Sequence, residues 1–349
     1  MICQKKSLLA LFVLQFSLSN AYADNEDVQA VKVSGFGTAA LTWMDNNDAQ
    51  FARPNQASGA GTKLRTGVDS NLGLQIDAKV NGWLSLTGQG IVRKYAEDDY
   101  GADATLAFAR INLSESVNVR IGRLPLAAFL VSDYRNVGYA NTMIRPSQEV
   151  YSQVPSDRLD GVDVNWQQTN EASTLSVQAS LGTSKVKAAS GGQAKIDDAK
   201  GLNVVYEQGP FTFRFGHYIG KLSIDQEAFH IPKTSVKFTA AGFSMDWNDL
   251  VVQSEYTKSR GLGSTSTAWY TMGGYRFGKL TPYLSYSKLD GNIAQHTESA
   301  GVRWDAFRSA DIKLQIDRIN PQGTGLLVNA KPAFRGPVTV GAIAIDFVF

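Results

Sequence analysis

The sequence predicts an all-β protein that crosses a membrane as a closed antiparallel barrel of 16 strands. Three patterns predict this fold. Apolar and polar residues alternate along most of the chain, which is the period of a strand with one apolar face. The connections between the predicted strands alternate between long and short. The last nine residues, GAIAIDFVF, form an alternating strand that ends on the aromatic Phe349.

The N-terminal residues have the pattern of a secretory signal peptide. Two lysines form a short positive region, residues 7–18 are apolar, and Ala21-Tyr22-Ala23 is a small-x-small cleavage site. The alternative, a membrane-anchoring helix, needs about 20 apolar residues. We therefore expect a signal peptide at 1–23 and a single barrel domain at 24–349.

Composition and charge exclude several classes of protein. The only cysteine, Cys3, lies in the leader, so the exported chain has no disulfides. Lys and Arg number 34 against 32 Asp and Glu, and two of the lysines belong to the leader, so no basic excess remains to bind nucleic acid. After the leader no apolar run is long enough for a membrane helix, so any membrane crossing must use strands.

Sixteen segments show the alternation, and a tilted strand needs about 9–11 residues to span a bilayer. The predicted strands are 31–43, 64–80, 83–95, 104–113, 117–123, 158–168, 173–186, 200–208, 211–222, 234–246, 250–258, 264–277, 280–289, 296–306, 310–320 and 338–349. Tight turns such as Asn81-Gly82 follow every second strand, and longer loops join the other ends. An even-stranded membrane barrel has this rhythm, whereas the alternative, a secreted β-sandwich or β-helix, does not require it.

The alternation also predicts which side chains face lipid. Phe213 and Phe215 flank Arg214, so the phenylalanines are assigned to the lipid and the arginine to the lumen. If the first strand rises from the periplasm, four tryptophans fall at the periplasmic membrane interface, where indole side chains are favoured. This predicted aromatic belt consists of Trp83, Trp166, Trp247 and Trp304.

The connection at 124–157 is the longest in the chain and differs from an ordinary surface loop. It contains apolar residues that need burial, among them Leu126, Phe129 and Val150. Loops of this length inside a compact fold are usually functional. Because a 16-stranded barrel leaves an aqueous channel, we expect this third loop to fold into the lumen and narrow it.

The mature chain resembles the general porins of Gram-negative outer membranes. The resemblance rests on the strand number, the long third loop, the segments VSGFGTAALTW at 33–43 and VRIGRLPLAAF at 119–129, and the terminal FVF. It implies a homotrimer of water-filled barrels and a role for Phe349 as a C-terminal assembly signal. The third loop lacks the acidic-Gly-Gly stretch often seen at porin constrictions, which leaves the selectivity and the aperture open.

The charges assigned to the lumen predict the constriction. Four arginines on the predicted second to fifth strands form a basic ladder, and acidic residues of the third loop lie opposite and create a transverse field. The alternative is that these arginines only pair with nearby aspartates. The predicted constriction and lumen residues are Arg65, Arg93, Arg110, Arg120, Arg123, Asp133, Arg135, Arg145 and Glu149.

The sequence shows no constellation of catalytic or metal-ligating residues. The three histidines, His217, His230 and His296, lack the spacing of a metal site, so we expect no metal, no cofactor and no enzymatic activity. The main prediction is passive diffusion of small hydrophilic solutes and ions. Two alternatives stay open: a channel with a binding site for an anion or acid at an arginine-lined constriction, and a plugged barrel with an enzymatic or adhesive role.

The resemblance to porins implies a location in the outer membrane of a Gram-negative bacterium, and the expected partners follow from it. They are outer-membrane lipid, lipopolysaccharide, further copies of the chain, the barrel-assembly machinery and small polar solutes. Nucleic acid is not among them, because the mature chain has no basic excess.

Overall fold

A computed structural model describes residues 30–96, 98–154, 156–188, 192–226 and 229–349. The predicted signal peptide lies outside the described residues. Sixteen strands close into one barrel, in which each strand pairs antiparallel with its neighbours in sequence and the first pairs with the last. The predicted fold class is confirmed.

The bounds of the elements are as follows. The first eight strands are β1 (Ala30–Met44), β2 (Asn71–Lys79), β3 (Leu84–Lys94), β4 (Tyr100–Asn112), β5 (Val117–Pro125), β6 (Arg158–Thr169), β7 (Ser173–Ala188) and β8 (Gly192–Gln208). The others are β9 (Phe211–Gln226), β10 (Phe229–Trp247), β11 (Leu250–Gly261), β12 (Ser264–Tyr275), β13 (Leu280–Asp290), β14 (Gln295–Trp304), β15 (Ala310–Pro321) and β16 (Val338–Val348). Between β5 and β6 lie a 3₁₀ turn (Gly138–Ala140) and a short helix, α1 (Gln148–Tyr151).

The outer surface of the wall is apolar and the inner surface is polar. On β2, for example, Leu72, Leu74 and Ile76 are exposed on the outside of the barrel. Gln75 and Asp77 lie on the inner face and share a hydrogen bond of 2.7 Å. This division is the one that a lipid-facing band around a hydrated lumen requires. Within the described ranges, no helix is long and apolar enough to cross a membrane.

The starts of two strands differ most from the prediction. β2 begins at Asn71 instead of residue 64, because residues 45–70 form a loop (loop 1) that folds back over the mouth of the barrel. β8 begins at Gly192 instead of residue 200, and its neighbours are also longer than predicted. A strand that continues beyond the membrane no longer needs an apolar outer face, so the alternation that marks a strand is lost there.

Backbone pairing holds loop 1 in place. Ala60 exchanges two backbone hydrogen bonds of 2.8 and 2.9 Å with Phe51. Phe51 is 3% exposed and packs in a cluster with Val68 and with Phe334 of the loop between β15 and β16. Loop 1 therefore forms part of the wall of the mouth.

Candidate functional site

The third loop lies inside the barrel. It spans residues 126–157, because β5 continues to Pro125, and we call it loop 3. Phe129 stacks on Tyr151 with ring centroids 4.4 Å apart and meets the ring of Phe238 on β10 at 5.2 Å. Phe129 is 1% exposed and Val150 is fully buried. Burial of these side chains against β10–β13 stabilises the inward position of the loop.

Two side chains of the barrel wall, on β9 and β11, hold the first part of loop 3 in place. The carboxylate of Glu255 on β11 accepts hydrogen bonds from the Leu130 amide at 2.9 Å and from the Tyr151 hydroxyl at 3.0 Å. Arg214 on β9 donates to the Leu130 carbonyl at 3.1 Å and pairs with Asp133 at 3.0 Å. Asp133 is the exposed partner of this pair, so it is the acidic group of loop 3 that presents charge to the lumen.

Glu149 does not occupy the position that the sequence suggested. Its carboxylate was expected to face the arginine ladder across the lumen, but Glu149 is 2% exposed and points into the wall. It accepts hydrogen bonds from the hydroxyl groups of Ser147, Ser287 and Thr297 and from the amide of Gln295, at 2.5–3.1 Å. Its role in the structure is therefore to attach α1 to β13 and β14.

Arg145 is also buried, and it joins loop 3 to two other elements. Its guanidinium lies 3.0 Å from Asp69 of loop 1 and 3.0 Å from Asp317 of β15, and it stacks on the ring of Phe51 with its Cζ 4.7 Å from the centroid. With 4% of its side chain exposed, Arg145 is a structural clamp within the lumen. It presents little charge to a passing solute.

Loop 3 reaches the turn end of the barrel, opposite loop 1. Lys313 on β15 donates to the Gly138 carbonyl at 2.8 Å, and Arg303 on β14 donates to the carbonyl groups of Tyr139 and Asn141. The Tyr139 hydroxyl donates to the Arg308 carbonyl in the turn between β14 and β15 at 3.0 Å. A side chain at Gly138 would collide with Asp346 and Thr38, so the loop passes against the wall at a point where glycine is required.

The arginines predicted on β3, β4 and β5 line the other side of the lumen. Arg93 pairs with Asp157 at the end of loop 3 at 2.8 Å and also donates to Asn136. Arg120 forms a two-pronged pair with Asp163 on β6, with a shortest distance of 2.6 Å. Arg110 lies directly opposite Arg120 across the β4–β5 pair. Arg93 and Arg120 are thus paired with aspartates, as the alternative interpretation expected, and the ladder stays a prediction.

Two of the predicted lumen arginines lie elsewhere. Arg65 belongs to loop 1 instead of β2, and it pairs at 3.1 Å with Asp98 in the loop between β3 and β4. Arg123 follows Arg120 by three residues, and an odd separation puts two strand residues on opposite faces. It pairs with Asp160 at 2.7 Å, and both side chains are partly exposed on the outer face of the wall.

A cluster of arginines surrounds a cavity between loop 1, β3 and loop 3. Arg53, Arg93 and Arg135 line it, together with Asp69 and Asp157. Burial and the like charges of Arg135 and Arg93 lower the pKa of Arg53 to about 10. Burial acts to raise the pKa of Asp157, but the guanidinium groups of Arg93 and Arg135 outweigh it, so this pKa lies well below its usual range. The cavity is thus a region of concentrated positive charge.

Sequence reasoning missed part of this cavity. Arg53 and Asp69 were not selected, because Arg53 precedes the predicted second strand and Asp69 was placed within that strand, at 64–80. The available signal was Phe51-Ala52, an apolar pair beside Arg53 in an otherwise polar loop. Arg135 lies in the cavity, where it donates to the Ser156 carbonyl at 3.3 Å and faces the rings of Phe129 and Tyr151.

The histidines and acidic residues show no arrangement for metal binding. Among the described residues, no three His, Cys, Asp or Glu side chains are grouped closely enough to hold a metal ion. His217 bonds to Thr239 at 2.9 Å, His230 lies 3.4 Å from Asp225, and His296 stacks on Tyr286.

The four tryptophans of the predicted belt all lie at the turn end of the barrel. Trp83 precedes β3, Trp247 and Trp304 end β10 and β14, and Trp166 lies near the end of β6. All four are at least 38% exposed on the outside. Phe349 is also exposed, and its backbone exchanges hydrogen bonds of 2.9 and 3.0 Å with Gly35 of β1. The belt and the assembly signal remain predictions.

Known structures share this architecture at low sequence identity. An OmpT of Vibrio cholerae in a trimer form has a TM-score of 0.60 at 13% identity, with 93% of this chain and 100% of that chain covered. The anion-selective porin of Comamonas acidovorans has a TM-score of 0.61 at 14% identity, with 92% and 100% covered. Salmonella typhi OmpF, in complex with daunomycin, has a TM-score of 0.63 at 15% identity, with 93% and 99% covered. No curated protein matches the sequence.

The sequence itself matches a family. The model of the Gram-negative porin family matches residues 9–319, which is most of the chain. The closed barrel of 16 strands and the loop folded into its lumen agree with that match. The chain therefore belongs to the Gram-negative porin family and is an outer-membrane diffusion channel.

Proposed function

We propose that solutes cross the barrel along the wall formed by β2–β8. The observation that carries this proposal is the position of the loop 3 contacts. The wall residues that contact loop 3 lie on β1 and on β9–β16, with two exceptions. Arg93 of β3 contacts Asn136 and Asp157, and Ser184 of β7 contacts Ser156. The inner face of β2–β6 keeps polar side chains such as Gln75, Asp77 and Arg120, which suit a hydrated path.

The charge around this path favours anions. Arg53, Arg93, Lys94 and Arg135 line the cavity beside loop 1, against two carboxylates, so the cavity has an excess of two positive charges. Among the described residues, Arg53 and Arg135 form no ion pair with a carboxylate within 4 Å. A narrow, low-dielectric passage concentrates ions of the opposite sign. We propose that small anions and acids are the preferred solutes.

A planar bilayer experiment tests both parts of the proposal. The purified protein under a potassium chloride gradient should conduct, and its reversal potential should have the sign of an anion-preferring pore. Current steps in groups of three would support the trimer that the family resemblance implies. Well-folded protein without conductance would contradict an open path and would favour a plugged barrel.

The selectivity can be assigned to the cavity by substitution. Arg53→Gln combined with Arg135→Gln removes two positive charges, so the reversal potential should move toward the value of a cation-selective pore. Lys79→Gln combined with Lys279→Gln removes the same charge from exposed positions at the turn end and serves as the control. An equal shift in both variants would show that the overall net charge, and not the cavity, sets the selectivity.

We propose no catalytic step for this chain. Glu149 and Arg145 are held in hydrogen bonds and ion pairs that fix loop 3 to the wall. Hydrolysis of ester or peptide substrates by the purified barrel, abolished by a single lumen substitution, would contradict this assignment.

A further inference from the structure

The cavity between loop 1, β3 and loop 3 is large enough to hold a small solute. It encloses about 720 Å³, including the part that is open to the lumen, and ligand pockets commonly have this volume. Arg53 lines the cavity from loop 1, Arg93 lines it from β3, and Arg135 lines it from loop 3. Neutral amide side chains, Asn71 and Asn136 among them, lie between these arginines. The lining is therefore polar and basic, and it comes from three separate parts of the chain.

Most of the charges in this lining are already paired. Arg93 holds Asp157 at 2.8 Å, and Arg145 holds Asp69 at 3.0 Å. The lysine of the lining, Lys94, pairs at 3.0 Å with an aspartate that lies outside the cavity. Neither carboxylate of the lining is therefore free to neutralise the two remaining arginines, which belong to loop 1 and loop 3. These two arginines supply the positive excess of the cavity.

The first of them, Arg53, is held in position by its neighbours. Its amide donates to the side-chain oxygen of Gln56 at 2.9 Å, and the Gln56 side chain donates to the Val68 carbonyl at 3.0 Å. The carbonyl of Ala52, the preceding residue, accepts a hydrogen bond of 2.7 Å from Gln148 of α1. The backbone that carries the Arg53 guanidinium is thus fixed to loop 3 as well as within loop 1.

The second, Arg135, is held within loop 3. Its guanidinium donates to the Ser156 carbonyl at 3.3 Å, and its Cζ lies 5.9 and 5.7 Å from the ring centroids of Phe129 and Tyr151. Both rings belong to the packed part of loop 3. A side chain that is ordered in advance loses less conformational entropy when it binds a ligand.

The guanidinium groups of Arg53 and Arg135 lie close enough to repel each other. Burial lowers the pKa of Arg53, and the charge of Arg135 also acts to lower it. A guanidinium binds a carboxylate or a phosphate group through paired hydrogen bonds. A solute with one negative charge would neutralise only one of the two arginines. A solute with two charges would neutralise both, and its second contact would form at a high effective concentration.

We propose that this cavity binds small solutes that carry two negative charges, and that Arg53 and Arg135 contact such a solute together. The inference rests on the proposed function, because it names the class of anion that the anion-preferring path selects. Since the cavity lies beside loop 1 at the mouth, the solute is held there before it passes along β2–β8. Binding must be weak enough to let the solute leave.

Block of the single-channel current by added solutes tests the proposal. Succinate, butyrate and hydrogen phosphate are compared in potassium chloride at about pH 8, where every carboxyl group of the two acids is ionised. Succinate and butyrate have carbon chains of equal length and differ by one carboxylate. Succinate should block the current at a concentration at least about tenfold lower than butyrate does. Hydrogen phosphate carries both charges on one group, so its block shows whether the two arginines hold one anionic group or two.

Single substitutions assign the block to the two arginines. Arg53→Gln and Arg135→Gln should each abolish the preference for the dianion over butyrate, because either variant retains only one guanidinium. Arg53→Lys keeps the charge but not the paired donors, so it should retain part of the preference. Lys79→Gln removes one charge at an exposed position of the turn end and should keep the full preference. An open-channel current in each variant shows that its barrel is folded.

The outcomes separate this inference from the proposed function. An anion-preferring reversal potential, with neither dianion blocking more strongly than butyrate, would overturn the dianion site and leave the proposed path standing. A cation-preferring reversal potential would contradict the proposed function itself. Loss of the dianion preference in Lys79→Gln as well would show a general charge effect and would also overturn the site.

Discussion

At the scale of single residues, Lys313 shows how the lumen tolerates buried charge. Its ammonium group is fully buried and lies 2.8 Å from Asp346 and 3.6 Å from Asp311, which in turn lies 3.1 Å from Arg303. Lys313 also holds the Gly138 carbonyl of loop 3. A buried charge of this kind is stable only with its partners, so the wall and the loop depend on the same side chain.

Removal of the Lys313 ammonium group should therefore destabilise the folded protein. Lys313→Met leaves two buried carboxylates without their shared partner, and the free energy of unfolding should fall by about 3–5 kcal/mol. Urea unfolding followed by the heat-modifiable shift in gel mobility measures it. The double variant Lys313→Met, Asp346→Asn should recover part of the loss. A loss below about 1 kcal/mol in the single variant would contradict the assigned role.

Asp98 gives a prediction for pH. Hydrogen bonds from Ser58, Lys94 and Arg65 lower the pKa of this carboxyl from 3.8 to about 2. Because the folded pKa lies below the unfolded value, the stabilisation is complete above about pH 4 and is lost as the pH falls toward about 2. NMR titration of the Asp98 carboxyl should show this low midpoint. Arg65→Gln should raise it, and a midpoint near 4 in the natural protein would disprove the contact.

At the scale of elements, the position of α1 depends on one carboxylate. The four groups that contact Glu149 are neutral donors, and an amide in its place would oppose some of them with its own donor group. Glu149→Gln should weaken the attachment of loop 3 by about 1–3 kcal/mol. Single-channel recordings of this variant should then show more current noise. Proteolysis of loop 3 should also be faster than in the natural protein. Glu115→Gln, in an exposed turn, is the matched control.

At the scale of the whole molecule, the alternation of apolar and polar residues predicts the barrel, because every lipid-facing strand must repeat this pattern. The same reasoning fails at residues 192–199, where β8 leaves the membrane and one face carries the charged Lys195 and Asp197. The inward fold of loop 3 could be predicted from Phe129 and Val150, which need burial. The hydrogen-bond partners of Glu149 could not be predicted. Ser287, Gln295 and Thr297 lie more than 130 residues away in sequence, and only closure of the barrel brings them close to Glu149.

The attachments of loop 3 also determine an order of assembly. The loop is encoded before β6, yet its fastening points at the turn end are Arg303, Lys313 and the Arg308 carbonyl, near the C-terminus. Gly138 rests against Thr38 of β1 and Asp346 of β16, which are hydrogen-bonded to each other across the seam where the barrel closes. The loop therefore cannot reach its final position before β1 and β16 have met. We therefore expect the narrowing of the lumen to be complete only when the wall of the barrel has closed.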